Sequence, residues 1–464
     1  MRTKAYLFAA IFSVLLLGAC GCENPKPEDE PTPSQDTTKV DPPTEKPDLS
    51  LIKQSVPVTD NWVWSGKPSI TIHIENGNKM AVKVGTKVQI KTDKKVAVTT
   101  LTDSVEVPAN GSKDFVVTTT ENLEPGFYRA SCFVNGKTAK NFYFGIDPFD
   151  IVSEPDMQPD FDQFWQTAKE QLASVQMNAV LTEITDHSSS SRKVYLVEMN
   201  SVPDGPTGDP VKIRGYYCEP QDGQPHPVIL HFYGYDTQGT TAKCECPNGG
   251  SSTYAEFYLS HRGQYLNCRP AGTNPGIDEE TVNIYGDWFA YNFGNKDSYY
   301  YRGAYMDVVQ AVRFMAGRPT SNMEKLFAEG SSQGGALTYA CAALSDYPFT
   351  AIAANVAFMG DFADAIKIES LAYWEMNDNR GSMTDEQILE CMSYFDIKNL
   401  TPRISCPVMA SSGLQDNVCP PRLNVVPYNN LQTPAEKKQY VFGPTMGHDY
   451  PSGWSPIAFF KKYM

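Results

Sequence analysis

The alternation of apolar and polar positions divides the 464-residue chain into stretches of different period. Residues 5–17 form a nearly unbroken apolar run, too short to span a bilayer comfortably. Residues 23–50 carry almost no apolar side chains and cannot bury a core of their own. Between 56 and 144 short β-rich runs appear at 69–74, 87–90, 94–98, 114–117, 128–134 and 141–144, several alternating with a period of two. Turn signals such as Asn76-Gly77, Asn110-Gly111 and Asn135-Gly136 separate them. This predicts a small antiparallel sandwich, immunoglobulin-like in type, over residues 51–148. After Asp147-Pro148 the period changes: 161–172 reads as an amphipathic helix, and apolar strands then alternate with longer helical patterns. The expectation for 149–464 is an α/β domain with a mostly parallel sheet.

Composition narrows the partners. The chain has 39 Lys plus Arg against 54 Asp plus Glu, a net charge of −15, and no basic run. It therefore lacks the field that nucleic acid binding needs, and a neutral or basic substrate is expected. With 41% hydrophobic and 20% charged residues, it is neither disordered throughout nor a disulfide scaffold.

Arg2 and Lys4 precede the first apolar run, which ends in Leu17-Gly18-Ala19-Cys20. That ending resembles a bacterial lipobox, which implies a signal peptide over 1–19, cleavage before Cys20 and lipidation of Cys20. Residues 20–50, rich in proline and acids, read as an extended linker above a membrane. An exported lipoprotein, placed at the outer membrane and held by its lipid, is the expectation. Ten of the eleven cysteines remain if Cys20 carries lipid, and export permits disulfides. Cys244 and Cys246 lack a second pair at zinc-site spacing, and Cys341 reads as a small core residue.

The chemistry lies in three separated pieces. Residues 326–329 form a strand-like run, Gly330-Ser331-Ser332-Gln333-Gly334-Gly335 follows, and 336–344 is helical in pattern. The Gly-x-Ser-x-Gly spacing in that context fits a nucleophile elbow, with Ser332 projecting from a sharp turn as in the α/β-hydrolases. A serine hydroxyl needs a base, and these folds supply the triad in the order Ser, Asp or Glu, His. Five of the six histidines precede Ser332, so His448 is the base by elimination. Asp416, in a loop after the strand-like stretch 406–413, is the expected orienting acid, with Asp396 and Asp449 as rivals. Oxyanion donors are expected at the amide of Gln333 and in the loop Tyr233-Gly234-Tyr235 after the apolar strand 227–232. His231 reads as a strand-end structural residue, and His73 as a strand-face or surface residue.

Several motifs together resemble the acetyl xylan esterase and cephalosporin-C deacetylase family, carbohydrate esterase family seven. They are His231-Phe232-Tyr233-Gly234-Tyr235, Arg262-Gly263-Gln264, Tyr299-Tyr300-Tyr301-Arg302-Gly303 with Asp307, the elbow, Gly413-Leu414-Gln415-Asp416 with Cys419-Pro420-Pro421, and His448. The resemblance implies Ser332 as nucleophile, His448 as base, Asp416 as orienter, and the backbone amides of Tyr235 and Gln333 as oxyanion hole. Two positions depart from the family pattern: Tyr265 stands where glycine is usual, at the expected floor or mouth of the pocket, and Asp449 where glutamate is usual.

The expected function is a serine carboxylesterase that removes acetyl or other short acyl groups from acetylated saccharides such as xylan fragments. No metal or organic cofactor is called for. An esterase for bulkier acyl groups, a peptidase of the same fold, and a glycan-binding lipoprotein with a vestigial hydrolase domain are the alternatives. The β module is either glycan-binding or spacing, or a structural domain packed on its neighbour. Family members often assemble as hexamers, a property the extra module keeps from being carried over to this chain.

Overall fold

The computed structural model describes residues 46–240, 242–248, 252–267 and 283–464. The expected signal peptide, Cys20 and most of the 20–50 linker lie outside the described residues.

The N-terminal region contains β1 (Ile52–Ser55), β2 (Val63–Trp64), β3 (Ile70–Asn76), β4 (Val82–Thr92), β5 (Ala97–Val107), β6 (Gly111–Val117), β7 (Gly126–Val134) and β8 (Lys137–Ile146). They form a three-stranded sheet in the order β1-β3-β6 and a five-stranded sheet in the order β2-β8-β7-β4-β5. Alternation decides the faces: Ile70, Ile72 and Ile74 of β3 and Val82, Val84, Val88 and Ile90 of β4 all turn into one core. Asn135 and Gly136, both with positive φ, supply the tight turn that joins β7 to β8.

The C-terminal region is built on nine strands: β9 (Val180–Glu183), β10 (Arg192–Ser201), β11 (Val211–Pro220), β12 (His226–Phe232), β13 (Ala255–Ser260), β14 (Ser321–Ser331), β15 (Ala351–Asn355), β16 (Val408–Gly413) and β17 (Lys438–Gly443). Their order is β17-β16-β15-β14-β12-β13-β11-β10-β9. The pairings from β13 through β17 are parallel, and the remaining three, which carry β11, β10 and β9, are antiparallel. Both faces are covered, which is why the parallel strands read as continuous apolar runs. Val228, Leu230 and Phe232 pack in one layer with α1 (Phe161–Ser174), α2 (Tyr300–Ala316) and α3 (Gln333–Leu344). Ile229, Phe327 and Met409 face the other way, onto Phe459 and Phe460 of the last helix, Pro456–Phe460.

Residues 47–464 make one compact unit. The β core extends into the α/β region through Leu414, Val425 and Val426. Phe149 adds ring contacts to Tyr428, Tyr440 and Phe442, and Arg422 is paired with Asp93. Among the described residues no helix is long and apolar enough to cross a membrane. Eight cysteines are described, seven of them buried, and no disulfide joins any two of them. Cys244 and Cys246 pack with Cys218 in a small apolar cluster, and Cys341 sits in the main core under α2.

Candidate active site

Strand β14 ends at Ser331 and α3 begins at Gln333, so Ser332 carries the whole change of direction. Its backbone is held at φ 58° and ψ −122°, a conformation that non-glycine residues avoid unless their surroundings enforce it. The enforcement is steric and hydrogen-bonded. A Cβ at Gly334 would stand 2.2 Å from the Phe232 carbonyl oxygen, and one at Gly330 would stand 2.3 Å from that of Gly334, so only glycine lets β12, β14 and α3 approach so closely. The Ser332 amide donates to Asn355 O at 3.0 Å, and its carbonyl accepts from the Phe358 amide at 3.0 Å.

His448 and Asp416 come from the loops after β17 and β16, at the carboxyl edge of the sheet where such folds gather their sites. His448 Nδ1 is 2.8 Å from Asp416 Oδ2. The other oxygen of Asp416 accepts from the amides of Val418 and Cys419, each at 2.8 Å. The carboxylate is therefore fully buried yet saturated with donors, and it selects the imidazole tautomer that carries its proton on Nδ1. Cys419 places its thiol beside Ser332 and Asp416, and burial pushes its pKa well above the usual thiol range.

The rival acids are placed elsewhere. Asp396 accepts from the amides of Asp361, Phe362 and Lys398, each at 2.8 Å, and serves as a buried anchor for two short helices. Burial, opposed by the Lys398 charge, lifts its pKa to about 7. Asp449 accepts from the amide of its own neighbour, Tyr450.

Gln333 opens α3, where first-turn amides lack intrahelical acceptors. Its side chain is fixed from both ends: Oε1 accepts from the Tyr301 hydroxyl at 2.7 Å, and Nε2 donates to His261 Nε2 at 2.8 Å. His261 in turn donates from Nδ1 to the Tyr300 hydroxyl at 2.9 Å, and that hydroxyl donates to Arg262 O at 2.6 Å. Burial, partly offset by the Asp307 charge, pushes the pKa of His261 down to about 4, so it stands neutral in this chain of bonds.

Arg262-Gly263-Gln264 has a related task. Arg262 is wholly buried, with Nη2 2.8 Å from Asp307 Oδ1, Nε 2.9 Å from Oδ2 and Nη1 2.9 Å from Asp204. Gly263 turns the chain with φ 78°. Gln264 Nε2 then donates to Gly234 O at 3.1 Å and to Ala242 O at 2.6 Å. In a trans peptide the carbonyl and the following N–H point in opposite directions. By holding Gly234 O, Gln264 fixes the direction of the Tyr235 amide. Tyr265 packs its ring against Gly239, in the loop after β12, and is not among the described residues that line either cavity below.

Two cavities meet at this group. One, of about 620 Å³, is lined by Ser332, His448 and Tyr235 together with His231, Glu329, Tyr258, Tyr450 and Trp454. The other, of about 230 Å³, is lined by the same Ser332, His448 and Tyr235 and by Phe289, Phe358, Leu371, Val418 and Glu375. The first is polar on one wall and the second mainly apolar. Burial and the neighbouring carboxylates of Asp287 and Asp378 raise the pKa of Glu375 in the apolar one.

Sequence reasoning did not foresee the Tyr301-Gln333-His261 brace, the apolar cavity or Glu329. The position of His261 directly before Arg262-Gly263-Gln264 and the tyrosine triplet at the start of α2 were the available signals. His73 lies on β3 with Nδ1 2.6 Å from Asp114, well outside this group.

The sequence profile of the acetyl xylan esterase family (AXE1) matches residues 151–462. Acetyl esterase Axe7A of Xylanibacter ruminicola is 26% identical over 326 residues, which cover 68% of this chain and 69% of that protein. Among solved structures, the acetyl xylan esterase from Paenibacillus sp. R4 superposes with a TM-score of 0.54 at 25% identity, over 68% of this chain and 98% of that one. Acetyl xylan esterase 1 from Thermoanaerobacterium sp. JW/SL YS485 shares the fold, with a TM-score of 0.55 at 22% identity over 68% of this chain and 98% of its own. The α/β-hydrolase fold and a match that spans the whole region carrying Ser332, Asp416 and His448 lead to one assignment: the chain belongs to the acetyl xylan esterase family.

Proposed function

We propose that this protein removes acetyl groups from O-acetylated saccharides by serine acyl transfer. The observation that carries the reading is the pairing of the buried Asp416 with His448, which shares its cavity lining with Ser332 on its enforced turn, with the Tyr235 amide directed through Gln264. Ser332 Oγ attacks the ester carbonyl and forms the C–O bond while its proton passes to His448 Nε2. Negative charge develops on the carbonyl oxygen and is met by the amides of Tyr235 and Gln333, where one such donor is worth about 10²–10³ in rate. The bond to the sugar oxygen then breaks, His448 returns the proton to that oxygen, and the acetyl group remains on Ser332. Water repeats the sequence and releases acetate. Asp416 stabilises the imidazolium throughout without accepting its proton.

The acetyl group belongs in the apolar cavity bounded by Phe289, Phe358, Leu371 and Val418. At about 230 Å³ this space is several times the share of one water molecule, about 30 Å³. It has room for a short acyl chain beyond acetyl, which supports a second reading as a general short-acyl esterase. From the sequence alone, Leu17-Gly18-Ala19-Cys20 supports export and lipidation at Cys20, read out by metabolic lipid labelling of the wild type and of Cys20→Ala.

The deciding experiment is hydrolysis of 4-nitrophenyl acetate, butyrate and octanoate by the full chain and by Ser332→Ala. Acetate turnover that falls by three orders of magnitude or more in the variant supports the reading. Full turnover in Ser332→Ala, or none in the wild type on any ester or acetylated saccharide, overturns it.

A further inference from the structure

The mechanism leaves without a task one group of charges that runs from the buried Arg192 and Glu256 to His231 and Glu329, partly buried in the wall of the larger cavity. Across the sheet, Glu329 of β14, His231 of β12 and Tyr258 of β13 stand in register on neighbouring strands. They share a face with Phe327 and Ile229, two residues earlier, which are wholly apolar and packed under the last helix. At its carboxyl end that face turns abruptly polar, beside the elbow.

The polar end is rigid. His231 Nδ1 is 2.8 Å from Glu329 Oε1, and Nε2 is ion-paired with Glu256 at 3.3 Å. The imidazole stacks on Tyr258, with centroids 4.1 Å apart and planes 10° from parallel. Glu256 is further held by Tyr258 Oη at 3.1 Å and Arg192 at 3.2 Å. Burial disfavours the imidazolium, but the two carboxylates outweigh it and hold the pKa at about 9. The charges therefore alternate from Arg192 through Glu256 and His231 to Glu329. Such a buried chain is weak evidence for stability, since apolar replacements of the same volume often do as well. Its last member lines the cavity, with Oε1 fixed by His231 and Oε2 bonded to no described residue. Across the same cavity stand Tyr450, which is exposed, and Trp454, which is partly buried.

We infer that this wall is the binding surface for the leaving-group saccharide, with the Glu329 carboxylate accepting from sugar hydroxyls and Tyr450 and Trp454 covering the apolar face of a ring. The inference rests on the esterase reading above and adds to it the recognition of the alcohol. A fixed anionic acceptor suits a donor-rich, uncharged ligand, and aromatic rings with a polar edge suit an amphipathic one. A site built to bond hydroxyls discriminates strongly against an analogue that lacks them. On the other side of Ser332, the second cavity is walled mainly by Phe289, Phe358, Leu371 and Val418, and its one lining carboxylate among the described residues, Glu375, has no histidine fixing it as His231 fixes Glu329, which separates the place of the sugar from that of the acyl group.

The test compares kcat/KM for a soluble acetylated xylo-oligosaccharide with that for 4-nitrophenyl acetate, whose alcohol has no further hydroxyl. Full-length wild type, Glu329→Gln and Tyr450→Ala are measured, with Ser332→Ala as the control. Tyr450 is exposed, so its variant reports on the wall even if Glu329→Gln fails to fold. The expected result is a saccharide-to-chromogenic ratio at least tenfold lower in each folded variant, through KM. A ratio unchanged in every folded variant, while wild type turns over both esters and Ser332→Ala neither, overturns the saccharide wall and leaves the esterase reading standing. Loss of the esterase reading has its own signature, full turnover in Ser332→Ala.

Discussion

The side chain of Gln415 pairs with the backbone of Tyr143 as a further strand would: Oε1 accepts from the Tyr143 amide at 2.9 Å, and Nε2 donates to its carbonyl at 3.0 Å. Tyr143 lies in β8 of the N-terminal region, and Gln415 immediately precedes Asp416. The β region thus holds the loop that orients His448.

This contact predicts a catalytic effect without a binding effect. Gln415→Ala frees one side of the Asp416 loop, and kcat for 4-nitrophenyl acetate should fall about tenfold with KM unchanged, as expected for lost orientation. Removal of residues 47–146 is a harsher change, because it bares Leu414, Val425 and Val426 at about 1.5–3 kcal/mol each. The truncated chain should be insoluble or melt far below the intact one. A stable, fully active truncation would show that the β region is an independent module.

The elbow predicts intolerance at two glycines. Gly334→Ala places a methyl group against the Phe232 carbonyl, and Gly330→Ala places one against that of Gly334. Each should cost more than about 3 kcal/mol and abolish activity, since backbone and not a movable side chain is in the way. Thermal melts and chromogenic assays of both variants check this; wild-type melting in either would contradict the steric account.

The apolar cavity predicts control of acyl length. Leu371 is partly exposed at its wall, so a larger side chain is accommodated there without repacking the core. Leu371→Trp should lower the butyrate-to-acetate ratio of kcat/KM at least tenfold. An unchanged ratio would place the acyl group elsewhere.

The neutral, buried His261 predicts a stability term in mild acid. In the unfolded chain an imidazole gains its proton near pH 6.5, but in the folded chain this one does so only at about 4. Its contribution is therefore complete above about pH 6.5 and is lost as pH falls through 4, amounting to about 3 kcal/mol. His261→Gln keeps an acceptor for Gln333 and does not titrate. Urea unfolding at pH 7 and pH 4 should show the wild type losing about 3 kcal/mol more than the variant, and equal losses would refute the assignment.

How much of this was legible in the sequence depended on whether a signal was local. Period-two alternation gave the faces of β3 and β4, and the strand before the elbow lies within β14. The run expected over 94–98 begins as a strand only at Ala97, because Lys95 adopts φ 64° in the preceding turn. The helix expected from 336 starts at Gln333, because the elbow needs the two glycines inside its first turn. His448 emerged by elimination, and the geometry brings it within 2.8 Å of Asp416. The partnership of His231 with Glu329, 98 residues apart, was not readable: it follows from β12 being inserted between β13 and β14, an order that no periodicity encodes. The walls of the apolar cavity come from separate loops and the helix Leu371–Asn379 and share no motif.

The two cavities have only Tyr235, Ser332 and His448 as common lining among the described residues. With the sugar and the acyl group placed as proposed, the first product departs through one opening while the acyl group stays in the other. The vacated side then admits either water or a second alcohol to the same imidazole. Partition between hydrolysis and transfer to an added acceptor would accordingly follow how well that acceptor fills the vacated side, and not the length of the chain carried on Ser332.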